Sequence, residues 1–133
     1  ELERALFRQA LDPHDLPDAW DERFEALLGF RPRDHREGVL QDVHWSGGAF
    51  GYFPTYTLGT LMSVQLWEAL LAEHPDIPDR MARGEFPALL DWLRRRVHVH
   101  GGKYGGLELL QVVTGQELSA QPFLAYLRRK FLH

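Results

Sequence analysis

A chain of 133 residues, 44% hydrophobic and 26% charged, carries enough sequence for one globular domain with a modest core. The absence of cysteine excludes a disulfide framework, a thiolate nucleophile and a cysteine-based zinc site, and it fits a cytoplasmic protein. A net charge of −4 argues against a nucleic-acid backbone binder, and no apolar run approaches the roughly 18 residues that a membrane helix needs.

Glu1-Leu2-Glu3-Arg4 is a charged helical pattern with neither an initiator methionine nor a signal-peptide core, so the chain is expected to begin inside a longer product. Leu2, Ala5, Leu6 and Gln9 predict a first helix that stops near Asp12-Pro13. Asp15-Leu16-Pro17 reads as an N-cap with proline in the first turn, followed by Trp20, Phe24, Leu27 and Leu28 at helical spacing up to Gly29. Residues 31–36 form a polar connector.

The stretch from Gly38 to Tyr56 follows neither the two-residue nor the 3.6-residue period and is dense in glycine and aromatic residues. Pro54 then opens a long helix with Leu58, Leu61, Gln65, Leu66 and Leu70 on one face, ending near His74-Pro75. A further helix opens at Phe86-Pro87 with Leu89, Leu90, Leu93 and Val97 inward, stopping at Gly101-Gly102. Leu107, Leu110 and Val113 mark a short helix before Gly115. Ser119 is the expected cap of a last one, with Phe123, Leu124, Leu127 and Phe131 as its apolar stripe. The fold class is all-α, with residues 1–133 as one helical region and apolar faces that must pack on one another or on other chain.

Chemistry concentrates in Gly38-Val39-Leu40-Gln41-Asp42-Val43-His44-Trp45 and Gly51-Tyr52-Phe53-Pro54-Thr55-Tyr56. A glycine-rich turn here sets an imidazole and a phenol near the mouth of the long helix, the kind of donors that serve a developing oxyanion. Asp42 is placed to orient His44 or to hold its protonated form. Other features have structural readings. His98 and His100, two residues apart, point in different directions near a helix end. His14, His35, His74 and His133 read as surface residues, and Arg94-Arg95-Arg96 as a solvated face. Trp20, Trp67 and Trp92 lie on helical stripes and read as core, while Trp45 reads as a wedge holding the turn against a helix.

The pattern Gly-x-x-Gln-Asp-x-His-Trp over 38–45, followed by Gly-Tyr-Phe-Pro-Thr-Tyr over 51–56, resembles the signature of the carboxypeptidase Taq family of zinc metallopeptidases. Asp15-Leu16-Pro17-Asp18-Ala19-Trp20, Val97-His98-Val99-His100-Gly101 and Thr114-Gly115-Gln116-Glu117-Leu118-Ser119 are similar to other parts of that family's C-terminal portion. The resemblance implies a larger helical, groove-containing peptidase, usually a homodimer, that removes single residues from peptide C-termini. Its zinc is held by a His-Glu-x-x-His helix and a further glutamate. No His-Glu-x-x-His occurs in this sequence. The resemblance therefore assigns no metal ligand here and implies a missing N-terminal catalytic portion that supplies the zinc.

What it implies for this chain is Tyr56 as the oxyanion donor and His44 as a substrate-backbone contact. Tyr52 would line the groove, with Gln41, Asp42 and Trp45 as supports. The segment alone is expected to bind no zinc and to be inactive. The alternative is a truncated, non-catalytic helical interaction or scaffold module derived from the same family.

Overall fold

The structure is a computed structural model and describes residues 1–132; the expectation for His133 lies outside it. The described residues are helical, with no strand, and divide into two compact units at the boundary between Thr55 and Tyr56.

The first unit contains α1 (Leu2–Phe7), α2 (Leu16–Leu28) and α3 (Val43–Ser46). Pro13 opens a 3-10 turn over Pro13–Asp15, and Asp12 caps it by accepting from the His14 backbone N–H at 2.9 Å. The turn runs directly into α2, so Asp15 has helical dihedrals (φ −88, ψ −2) and makes no side-chain cap. The capping carboxylate is therefore three residues earlier than the sequence pattern suggests. On α2, Trp20 and Phe24 are half-buried, whereas Leu27 and Leu28 are 79% and 58% exposed. The predicted stripe points inward only along its first half. Gly38 is the one buried residue in this unit, because a Cβ there would lie 3.2 Å from the Pro32 ring.

The second unit holds α4 (Pro54–Glu73, of which Pro54 and Thr55 belong to the first unit), α5 (Ile77–Ala82), α6 (Pro87–Arg96), α7 (Gly106–Thr114) and α8 (Gln121–Phe131). Its core is Leu70, Ile77 and Trp92, packed by Leu66, Trp67, Leu89, Leu93, Val97 and Val113. α5 carries the core residue Ile77 although its six residues are too few to display a helical period. On α6 the inward face passes through Leu89, Trp92 and Leu93, and Leu90 is turned outward at 44% exposure. Leu107, Leu124 and Phe131 are likewise exposed, leaving Leu110, Val113, Phe123 and Leu127 as the inward residues of α7 and α8.

Gln65 is the buried polar residue of the core. Its amide donates to the Glu117 carbonyl at 3.0 Å and accepts from the Ser119 N–H at 2.9 Å, so α4 holds the loop before α8 through one side chain. The Ser119 hydroxyl accepts from Gln121 N–H at 3.2 Å, although Ala120 occupies the N-cap position itself. Arg94, Arg95 and Arg96 are exposed: Arg95 pairs with Asp91 at 3.0 Å and Arg96 with Glu73 at 2.7 Å.

Candidate functional site

Asp42 starts the site. Its Oδ1 accepts the backbone N–H groups of His44 at 2.8 Å and Trp45 at 3.1 Å, which caps α3. A helix of four residues has little propensity of its own, so a carboxylate that satisfies two of its orphan donors contributes much of its definition. The same oxygen lies 3.7 Å from His44 Nδ1. Asp42 is thus a helix cap, which fixes the backbone under His44 and sets a carboxylate beside its ring. The Asp42 side chain is 8% exposed and that of His44 19%, a largely dry setting for both.

Trp45, the next residue, turns the other way. Its indole packs edge-on against Trp20, with ring centres 6.2 Å apart and planes at 89°, and its N–H donates to Glu3 at 3.0 Å. The wedge expected of Trp45 is formed against α2, with α1 as a second anchor. After Gly47 and Gly48 the chain reverses, and Gly51 takes φ +71, a left-handed conformation that an L side chain strains to adopt. That bend returns Tyr52 and Phe53 to the imidazole: the His44 ring centre lies 4.8 Å from that of Phe53 and 5.7 Å from that of Tyr52. Tyr52 and Phe53 are about half exposed, at 51% and 58%.

Gln41 is exposed and its side-chain amide donates to the Arg36 carbonyl, so it ties down the connector rather than the imidazole. A cleft of about 420 Å³ in the first unit runs past Gln41, Asp42, Trp45 and Phe53 between α1 and α2. Tyr56 belongs to the second unit, in the first turn of α4, where its side chain is 56% exposed and its carbonyl accepts the Thr60 hydroxyl at 2.9 Å. The structure therefore gathers His44, Asp42, Trp45 and Tyr52 within one unit and presents Tyr56 on the other. Sequence reasoning missed two neighbours of this group. Phe53 was readable only as part of the aromatic run, and Glu3 lies 42 residues from its partner Trp45, a separation that carries no local signal.

Chemically, the group in the first unit consists of an imidazole with a carboxylate beside it and the half-exposed phenol of Tyr52. Imidazole and phenol groups can donate hydrogen bonds to carbonyl or other acceptor oxygens.

The family profile described as Carboxypeptidase Taq (M32) metallopeptidase matches residues 1–131, and the chain belongs to that family. It is 52% identical over 131 residues to the thermostable carboxypeptidase 1 of Thermus thermophilus, covering 98% of this chain and 26% of that protein. Carboxypeptidase 1 of Bacillus subtilis is 39% identical over 131 residues, again with 98% and 26% covered. The solved Pyrococcus furiosus carboxypeptidase superposes with a TM-score of 0.92 at 41% identity, covering 98% of this chain and 26% of that one. The chain spans about a quarter of the length of the curated relatives it matches, 26% in each case.

A metallopeptidase family implies a metal. Among the described residues no three histidine, aspartate or glutamate side chains are grouped to hold one. The described residues therefore do not fit a metal centre. No helix of the described residues is long and apolar enough to cross a membrane.

Proposed function

We propose that this chain is the substrate-facing C-terminal part of a zinc-dependent metallocarboxypeptidase that releases single residues from peptide C-termini. The zinc ligands and the base that activates water then lie on polypeptide outside these residues. Tyr56 donates its phenolic hydrogen to the oxyanion of the tetrahedral intermediate, and His44 hydrogen-bonds the substrate backbone. Tyr52 lines the groove, Asp42 and Trp45 hold the segment that carries His44, and Gln41 steadies the connector before it. The observation that carries this reading is the family match over residues 1–131, within which the imidazole sits on a capped turn beside exposed aromatic rings.

Replacing Tyr56 with phenylalanine removes one donor and leaves the ring. In the complete polypeptide, loss of an oxyanion donor is expected to lower kcat by about 10²–10³, with KM little changed because the bond strengthens only in the transition state. Undiminished turnover of Tyr56→Phe removes that assignment. The chain by itself is expected to release nothing from peptides; chelator-sensitive carboxypeptidase activity of the purified 133 residues overturns the division of labour.

The coverage of only 26% of its relatives also suits a shortened, non-catalytic interaction module. An in-frame His-Glu-x-x-His upstream in the coding sequence decides for the enzyme, and a stop or frameshift decides for the module. The reading extends to zinc as the metal, a homo-oligomer and a cytoplasmic setting. Metal analysis, sedimentation and cell fractionation of the complete polypeptide test these in turn.

A further inference from the structure

One carboxylate grips both ends of the bend that presents the candidate site. Glu3, in the first turn of α1, accepts the Trp45 indole N–H on one oxygen at 3.0 Å and the Gly51 backbone N–H on the other at 2.6 Å. Trp45 follows His44 directly, and Gly51 directly precedes Tyr52 and Phe53. The five residues between the two clamped points include Gly47 and Gly48, which offer little stiffness of their own. A second contact from α1 reinforces the grip: the Phe7 ring meets Phe50 edge-on, with centres 5.0 Å apart. The Glu3 side chain is only half-buried, yet both of its oxygens are committed to the bend.

We infer that Glu3 is a positioning residue for the reaction, setting His44 relative to Tyr52 and Phe53 through Trp45 and Gly51. This inference rests on the role proposed above for His44. The chemistry requires a carboxylate. Here the two N–H donors each meet a separate oxygen, and a carboxylate presents an acceptor to both and a donor to neither. A glutamine at this position keeps the shape but turns an NH2 group toward one of the two donors, so one bond is lost and a donor is set against a donor. An aspartate is one methylene too short to reach both.

The test is a double-mutant cycle in the complete polypeptide, reading kcat and KM for C-terminal residue release. Glu3→Gln is expected to lower kcat about tenfold with KM changed less than about twofold, as positioning effects on catalysis do. In a His44→Ala background the same substitution is expected to cost less than about twofold, because the group it positions is gone. An equal fold-loss of kcat in both backgrounds means that Glu3 acts only by supporting the folded state, and the inference falls while the role of His44 stands. Full turnover by His44→Ala removes the role of His44 itself and the inference with it.

Trp45→Phe supplies an independent arm. It keeps the ring against Trp20 and deletes a single donor, and its loss should show the same dependence on His44. It should also improve turnover of the Glu3→Gln enzyme, because the glutamine carbonyl is then free to turn to Gly51 without an opposing donor. Failure of Trp45→Phe to improve Glu3→Gln overturns the two-donor account.

Discussion

At the scale of single residues, the buried amide of Gln65 illustrates how a polar group inside a helical core is tolerated. Its two bonds to the Glu117 carbonyl and the Ser119 N–H consume a donor and an acceptor that the loop cannot satisfy within itself. Gln65→Leu retains the volume and deletes both bonds. The cost is about 1–3 kcal/mol, since the Glu117 side of the loop is exposed and water recovers part of the loss. Chemical denaturation checks this, and an unchanged midpoint shows that the loop is held by other means. The sequence pattern placed Gln65 on the inward face of α4 but gave no reason for an amide there, because its partners lie 52 and 54 residues downstream. Glu3 escaped notice for the same reason. Cap, turn and spacing signals are local, so Asp42 beside His44 could be read from neighbours in the chain, whereas a carboxylate arriving from another helix could not. The place of Asp42 was half legible: its nearness to the imidazole was anticipated, but its duty as the cap of α3 was not.

At the scale of elements, punctuation by proline and glycine was legible and the inward faces were only partly so. Pro54 and Pro87 do open α4 and α6, and Gly29 and Gly115 do follow α2 and α7. Backbone restrictions act on the residue itself and need no knowledge of neighbours. A helix face, by contrast, is defined by what packs on it, which is why Leu90, Leu107, Leu124 and Phe131 were assigned inward and are exposed. The ion pair between Glu73, the last residue of α4, and Arg96, the last of α6, shows a helix end being corrected. A carboxylate at a helix C-terminus opposes the helix dipole, and the guanidinium 2.7 Å away offsets that. Burial works to raise the Glu73 pKa, but the Trp92 indole and Arg96 outweigh it and the net shift is downward. The indole N–H exerts this pull without reaching the geometry of a formed hydrogen bond. A folded pKa below the ordinary carboxylate value, about 4.3, means that the stabilisation is complete above that value and lost as pH falls through the folded one. With 38% of the Glu73 side chain exposed, screening limits the effect to below about 1 kcal/mol. Glu73→Gln should therefore be slightly less stable than the parent at neutral pH, and the two denaturation midpoints should converge in acid. A gap that stays constant from pH 7 to about pH 3 contradicts the ion pair as its source.

At the scale of the whole molecule, the exposed surface is the informative quantity. The chain exposes 9970 Å², whereas a compact monomer of 15.4 kDa exposes about 7,200 Å². Even two separate compact bodies with the lengths of the two units would together expose only about 8,600 Å², so the excess does not depend on how the units are arranged. Its composition explains it: in the first unit no apolar side chain is buried, while Phe7, Leu27, Leu28, Phe30, Leu40 and Val43 are each more than half exposed. The remaining excess, about 1,300 Å² or more, exceeds the roughly 800 Å² that one partner buries in a standard interface. A surface of that size and apolarity drives association at roughly 25 cal/mol per Å² buried, less the cost of immobilising the partners. The isolated chain is therefore expected to self-associate. Sedimentation velocity across a range of about 1–100 μM should show a concentration-dependent shift to larger species, as mass action requires. If the proposed function holds, co-expression with the upstream polypeptide should suppress that shift, because the same leucines and phenylalanines then have an intramolecular partner. A monodisperse monomer across the full range would mean that these side chains are content in water, and the case for further chain packed upon them would lose its physical basis.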